Sequence, residues 1–138
     1  MPFRRLVALC LFALTYACAA GPNPDDLEGG GRGGAGVVLR RGAVTYVGNA
    51  GFCSRPATID LGVVEAATPE WRELRREGVT EGSARHALLK ARMHDRIVAA
   101  SRKVALATGN DLVVRSGDVQ DARSLVVEDL TRRVSAEL

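Results

Sequence analysis

The sequence is short of most residues that usually carry chemistry. It has two histidines, His86 and His94, eight apart in one helix-prone stretch. That spacing puts them two turns apart, too far to share a metal ion. Ser54, Ser83 and Ser116 lack the Gly-x-Ser-x-Gly frame of an activated nucleophile. The glycines of residues 29–36 are followed by no Gly-Lys-Ser/Thr, so they form no phosphate loop. Aromatic residues are only 4% of the 138, so the core must rest on Val, Leu, Ile and Ala. Lysine is nearly absent: 17 of the 19 basic residues are arginine, a skew that fits genome composition better than a binding surface. Charge of one sign is lacking too. The formal net charge is +3, and it falls to +1 without Arg4 and Arg5. A protein built to hold nucleic acid needs many more cations. No run beyond the first twenty residues is long and apolar enough to span a membrane. The reading is therefore of a non-enzymatic protein with no cofactor, no metal and no nucleic-acid partner.

What is present begins with an address. Arg4 and Arg5 precede an apolar run over residues 6–16, and Ala17, Cys18, Ala19 and Ala20 follow. This order of charge, apolar run and small residues is that of a secretory signal peptide, assigned to residues 1–19. Ala17-Cys18-Ala19 fits the small-x-small rule, with cleavage before Ala20. Thr15-Tyr16-Ala17-Cys18 also resembles a bacterial lipobox, which makes Cys18 a candidate for lipidation. The expected location is the periplasm, with anchoring to the envelope through Cys18 as the alternative. Cys10 leaves with the leader. Cys53 is then a lone thiol, best read as a small apolar core residue, unless an unmodified Cys18 remains to bridge it. Residues 20–36 are dominated by Gly and Pro with one large apolar residue, Leu27. Such a segment cannot offset its ordering entropy, and it reads as a flexible linker of roughly 20–25 Å.

Residues 37–138 form the expected domain. Val37-Val38-Leu39 and Ala43-Val44-Thr45-Tyr46-Val47 flank Arg40-Arg41-Gly42, a hairpin pattern. Residues 57–64 alternate, with Ile59, Leu61 and Val63 on one side, and read as a strand. Thr68-Pro69-Glu70 opens a helix that stops near Gly78. A second helix runs from Gly82-Ser83 to Thr108, with Leu89, Met93, Ile97, Ala100, Val104 and Ala107 as its apolar stripe. Gly109-Asn110 ends it, Asp111-Leu112-Val113-Val114 is a strand, and Ser116-Gly117-Asp118 is a turn. Residues 125–138 read as a last helix with Leu125, Val127, Leu130, Val134 and Leu138 inward.

This order, with Arg96-Ile97-Val98-Ala99-Ala100-Ser101-Arg102-Lys103-Val104-Ala105, then Asp111-Leu112-Val113-Val114, then Ser124-Leu125-Val126-Val127-Glu128-Asp129-Leu130, resembles the Skp (OmpH-like) family of periplasmic chaperones. The resemblance covers about residues 57–138. It implies an α+β fold with a small β body, a helical hairpin and a C-terminal helix, assembled as a homotrimer. It also implies a chaperone that holds unfolded outer-membrane or other envelope proteins. One departure is large. Only 46 residues, 65–110, separate the two strands, so a hairpin reaches about 30 Å at 1.5 Å per residue. The family's arms are far longer. The alternative reading is an envelope lipoprotein that reuses the trimeric body as a scaffold.

One patch stands out as a candidate for client binding. Arg85, Lys90, Arg92, Arg96, Arg102 and Lys103 share one helix with a single acid, Asp95. Arg85, Lys90, Arg92 and Arg96 are the candidate client-binding residues, with anionic lipid or lipopolysaccharide as further partners for a basic arm. The competing reading is a solvated face balanced by acids elsewhere, with Asp111, Asp118, Asp121, Glu128 and Asp129 as the proposed counterweights.

Overall fold

A computed structural model describes residues 36–138. The signal peptide, Cys18 and all of the Gly-rich linker before Gly36 lie outside the described residues. In chain order the elements are β1 (Val38–Leu39), β2 (Thr45–Val47), a 3-10 turn (Ala50–Phe52), β3 (Pro56–Ile59), α1 (Leu61–Ala67), α2 (Pro69–Glu77), α3 (Ala84–Thr108), β4 (Leu112–Arg115), β5 (Val119–Asp121), β6 (Glu128–Asp129) and α4 (Thr131–Ser135). The fold is mixed α+β, with two small sheets and four α-helices among the described residues.

The main sheet has the order β2-β4-β3-β6. β3 runs parallel to both β4 and β6, and β2 is antiparallel to β4. β1 and β5 form a separate antiparallel pair. Successive side chains on a strand point to opposite faces, and β4 divides its residues accordingly. Val113 joins a core with Ala57, Ile59, Val64, Met93, Ile97, Val104, Leu130 and Val134. Leu112 and Val114 join a second core with Val37 and Cys53, against which Leu39, Val119 and Leu125 pack. The helices therefore cover one face of the sheet, and the β1–β5 pair covers the other. Cys53 is buried, has no disulfide partner among the described residues and fills the second core as a small apolar residue.

The helix boundaries follow from local chemistry. Thr68 Oγ1 accepts the Trp71 N–H, Pro69 occupies the first turn, and Gly78 closes α2 at φ +58°. Ser83 accepts the His86 N–H at the start of α3, and Gly109 ends it at φ +74°. Leu89, Met93, Ile97, Ala100 and Val104 are buried as a stripe. At its last step the stripe turns: Ala105 is buried and Ala107 is exposed.

Three expectations are corrected. The strand at 57–64 ends at Ile59, because the Asp60 carboxylate accepts the Val63 N–H and caps α1. Leu61 and Val63, which looked like strand positions, lie on that helix, and Val63 is half exposed. The hairpin across Arg40-Arg41-Gly42 does not form. β1 pairs with β5 and β2 with β4, because Asp118 captures the loop: Arg40 N–H donates to its carbonyl and Val44 N–H to its carboxylate. The helix over 125–138 shrinks to α4. Residues Glu128–Asp129 are a strand beside β3, and Asp129 Oδ1 accepts both the N–H and the hydroxyl of Thr131, fixing where the helix begins. Leu130 and Val134 are buried as expected, on an element much shorter than the one expected.

Candidate functional site

The basic face of α3 is built against acids from α1 and α2. α2 carries Glu70, Glu73 and Glu77 at spacings of three and four, which places them on one helical face. Arg85 Nη2 lies 2.9 Å from Glu73 Oε1 and 2.6 Å from Glu77 Oε2. Lys90 Nζ lies 2.8 Å from Glu65 Oε1 on α1. Arg96 grips Glu70 with two nitrogens, Nε at 3.1 Å from both oxygens and Nη2 at 2.8 Å from Oε1. Glu70 is only 7% exposed, a position a carboxylate tolerates only when paired. The Arg96 hydrogen bonds hold its carboxyl below the usual range, against the upward push of burial. Arg92 has no ion pair among the described residues and is exposed.

Three of the four candidate client-binding residues are thus paired within the chain, and the face is close to neutral. The balancing acids are Glu65, Glu70, Glu73 and Glu77, with Glu137 pairing Lys103. The acids expected in that role are engaged elsewhere. Asp118 takes two nitrogens of Arg115 and one of Arg40. Burial pushes its carboxyl up, and these partners outweigh burial and leave it lowered. The three- and four-residue spacing of Glu70, Glu73 and Glu77 was a sequence signal that could have pointed to these partners. His94 rests beside Tyr46, ring centroids 6.4 Å apart, and His86 lies near the start of the same helix.

A second constellation sits at the opposite end of α3. β3, β4 and β6 are parallel, so their first residues share one edge of the sheet. The segments entering them meet there. Asp111 Oδ2 accepts the N–H and hydroxyl of Ser54, both at 2.7 Å, and Oδ1 accepts the Arg55 N–H at 2.9 Å. Burial pushes the Asp111 carboxyl up, but these bonds leave it below the usual range. Asn110, largely buried, donates to the Arg55 carbonyl at 3.3 Å and to Glu128 Oε2 at 3.4 Å. An open groove of about 420 Å³ lies over this junction, and Arg55, Asn110, Leu125 and Val126 are among the residues that line it. The chain enters it through Arg123 and Ser124, whose φ angles of 46° and 72° are left-handed although neither is glycine. Such backbone costs free energy and is held by its surroundings.

The groove escaped sequence reasoning because its parts are far apart in the chain. One local signal existed: Phe52 and Val126 are large apolar residues outside any periodic stripe, and both are almost fully exposed. Among the described residues no group of three or more His, Cys, Asp or Glu is placed to hold a metal ion. Among them, too, no helix is long and apolar enough to cross a membrane.

The chain matches no family model, no curated protein and no solved structure.

Proposed function

We propose that this protein is a non-enzymatic, client-binding protein of the cell envelope, a short-armed relative of the Skp plan. On this reading it shields unfolded outer-membrane or envelope polypeptides in the periplasm. The observation that supports the reading is the α2–α3 hairpin, set with α1 between two parallel neighbours, β3 and β4, with β5, β6 and α4 after them. The resemblance implies a hairpin between two strands and a closing helix; α1, β5 and β6 are additional to that order. The hairpin's end is free for contact, since no residue from 75 to 88 is buried. From Leu89 onward α3 lies on the sheet, so the arm supplies a surface and not an enclosure.

The test is suppression of aggregation of a urea-unfolded outer-membrane β-barrel, followed by light scattering as denaturant is diluted. Protection should be partial and should need a molar excess of the protein. Replacing Arg85, Lys90 and Arg92 together by Gln, and leaving Arg96 to pair the buried Glu70, should weaken it while helix content holds, because Gln has similar helix propensity. No protection at any ratio would remove the chaperone reading. The short hairpin favours the second reading, a scaffold on the envelope. Lipidation of Cys18, found by intact mass, together with failure to protect would establish that one instead.

A further inference from the structure

We infer that the groove at the entry to β3, β4 and β6 binds a small zwitterion: an ammonium and a carboxylate on a short skeleton with an apolar side chain. That is the chemistry of a free amino acid or a dipeptide. This goes beyond client binding and does not depend on it. The groove holds about 420 Å³, within the range of small-molecule sites. Two ionised side chains of opposite sign line it, Arg55 and Glu128. Neither has an ion pair among the described residues, so although they share one groove they do not neutralise each other.

Both charges are held in place. Asn110, only 8% exposed, donates to the Arg55 carbonyl at 3.3 Å and to Glu128 Oε2 at 3.4 Å, and its Oδ1 accepts from the Thr108 hydroxyl. The amide is fixed from both ends, and through Oε2 it positions the carboxylate and leaves Oε1 for a ligand. The Arg55 guanidinium lies against the end of α3, its Nη1 2.7 Å from where a Cβ on Gly109 would stand. Glycine at the helix cap therefore makes room for it. The apolar part of the site is supplied by the link after β5. Leu125 packs into the second core, while Val126 lines the groove and stays 87% exposed. The link gets there through Arg123 and Ser124, both left-handed, and backbone strain of this kind collects at ligand clamps.

The two charges select the ligand class. A ligand with a single charge would cover the other group and leave it unpaired, which is costly. A zwitterion meets both: its carboxylate takes the Arg55 guanidinium and its ammonium takes Glu128, each by a charge-assisted hydrogen bond. Its apolar side chain covers Val126. Asp111 is not among the lining residues, and both its oxygens already accept from Ser54 and Arg55.

The experiment titrates the isotopically labelled full chain with leucine and with leucyl-leucine, each also in its carboxyl-amidated and its N-acetylated form, and follows backbone amide shifts. Saturable shifts are expected at Ser54, Asn110 and Val126. The zwitterion should bind about tenfold or more tighter than either capped form, the usual effect of losing one charge-assisted hydrogen bond. Arg55→Gln should abolish the preference over the amidated form and keep the preference over the acetylated one. Glu128→Gln, which still offers Asn110 an acceptor, should do the reverse. A merely structural role for either residue would weaken all three forms alike, so this crossed pattern is the signature of direct contact. Tighter binding of leucine would assign the groove to a free amino acid, and tighter binding of leucyl-leucine to a peptide. The proposal is overturned by an absence of saturable shifts with both, by equal affinity for the zwitterion and its capped forms, or by shifts confined to residues away from the groove.

Discussion

Asp118 is the residue on which several parts of the chain converge. Its side chain is 1% exposed. It accepts the Val44 N–H at 2.9 Å, two nitrogens of Arg115 at 3.0 and 3.1 Å, and Nε of Arg40 at 3.3 Å. The sequence disclosed only its local role, a turn after Ser116-Gly117. Its reach to Arg40 and Val44, 74 or more residues back, was not legible, because no local pattern records which loop a carboxylate will meet. Asp118→Ala should cost about 2–4 kcal/mol, since it strands a backbone donor and two cations, measured by urea denaturation. Glu70, Asp111, Asp118 and Asp129 all have carboxyls held below their ordinary range. Each contributes stability that is complete above its unfolded pKa, near 4, and is lost as pH falls through its folded value. Thermal stability should therefore be level from about pH 5 to 7 and decline below about pH 4. A decline that began near pH 6 would implicate histidine instead.

At the level of elements, the helices and the strands differ in how far they can be read ahead. α2 and α3 were legible to within a residue or two, because Thr68, Pro69, Gly78, Ser83 and Gly109 act on their immediate neighbours. The strands were not, because pairing is settled at long range: β1 with β5 and β2 with β4 are choices between distant partners. α1 shows local signals in conflict. The alternation of Ile59, Leu61 and Val63 suggested a strand, and a single cap at Asp60 decided for a helix. The candidate site divided likewise. The basic stripe was visible on one helix, and its neutralising glutamates belonged to two others. The stripe itself gives a sharp prediction. Ile97→Asp and Val104→Asp should unfold the domain, each placing an unpaired charge in the core at several kcal/mol. Arg92→Asp, on the exposed face, should move the melting temperature by no more than a few degrees. Calorimetry on the three variants separates these outcomes, and equal melting would mean that α3 buries a different face.

For the whole molecule, the question is what each chain still needs. Within one chain β3 is paired on both sides, by β4 and β6. The remaining edges are β2 and the two-residue β6. An edge so short, bearing Glu128 and Asp129, is a poor template for another strand. The trimer therefore rests on the resemblance rather than on an incomplete sheet. If the resemblance extends to assembly, light scattering with mass detection should give three times the mass of the isolated chain at micromolar concentration. A monodisperse monomer would confine the likeness to the fold of one subunit.

The strand partners also set a clock on folding. Every strand in the first half of the described chain, β1, β2 and β3, pairs only with strands between Leu112 and Asp129. α3 can coil as it emerges, yet no ladder hydrogen bond of the described sheets can close until Leu112 and the residues after it have arrived. Sheet formation that waits on such distant partners is slow compared with helix formation. The chain thus stays threadable until β4 has arrived, and a product that stops short of Asp111 has helices with no sheet to lie on.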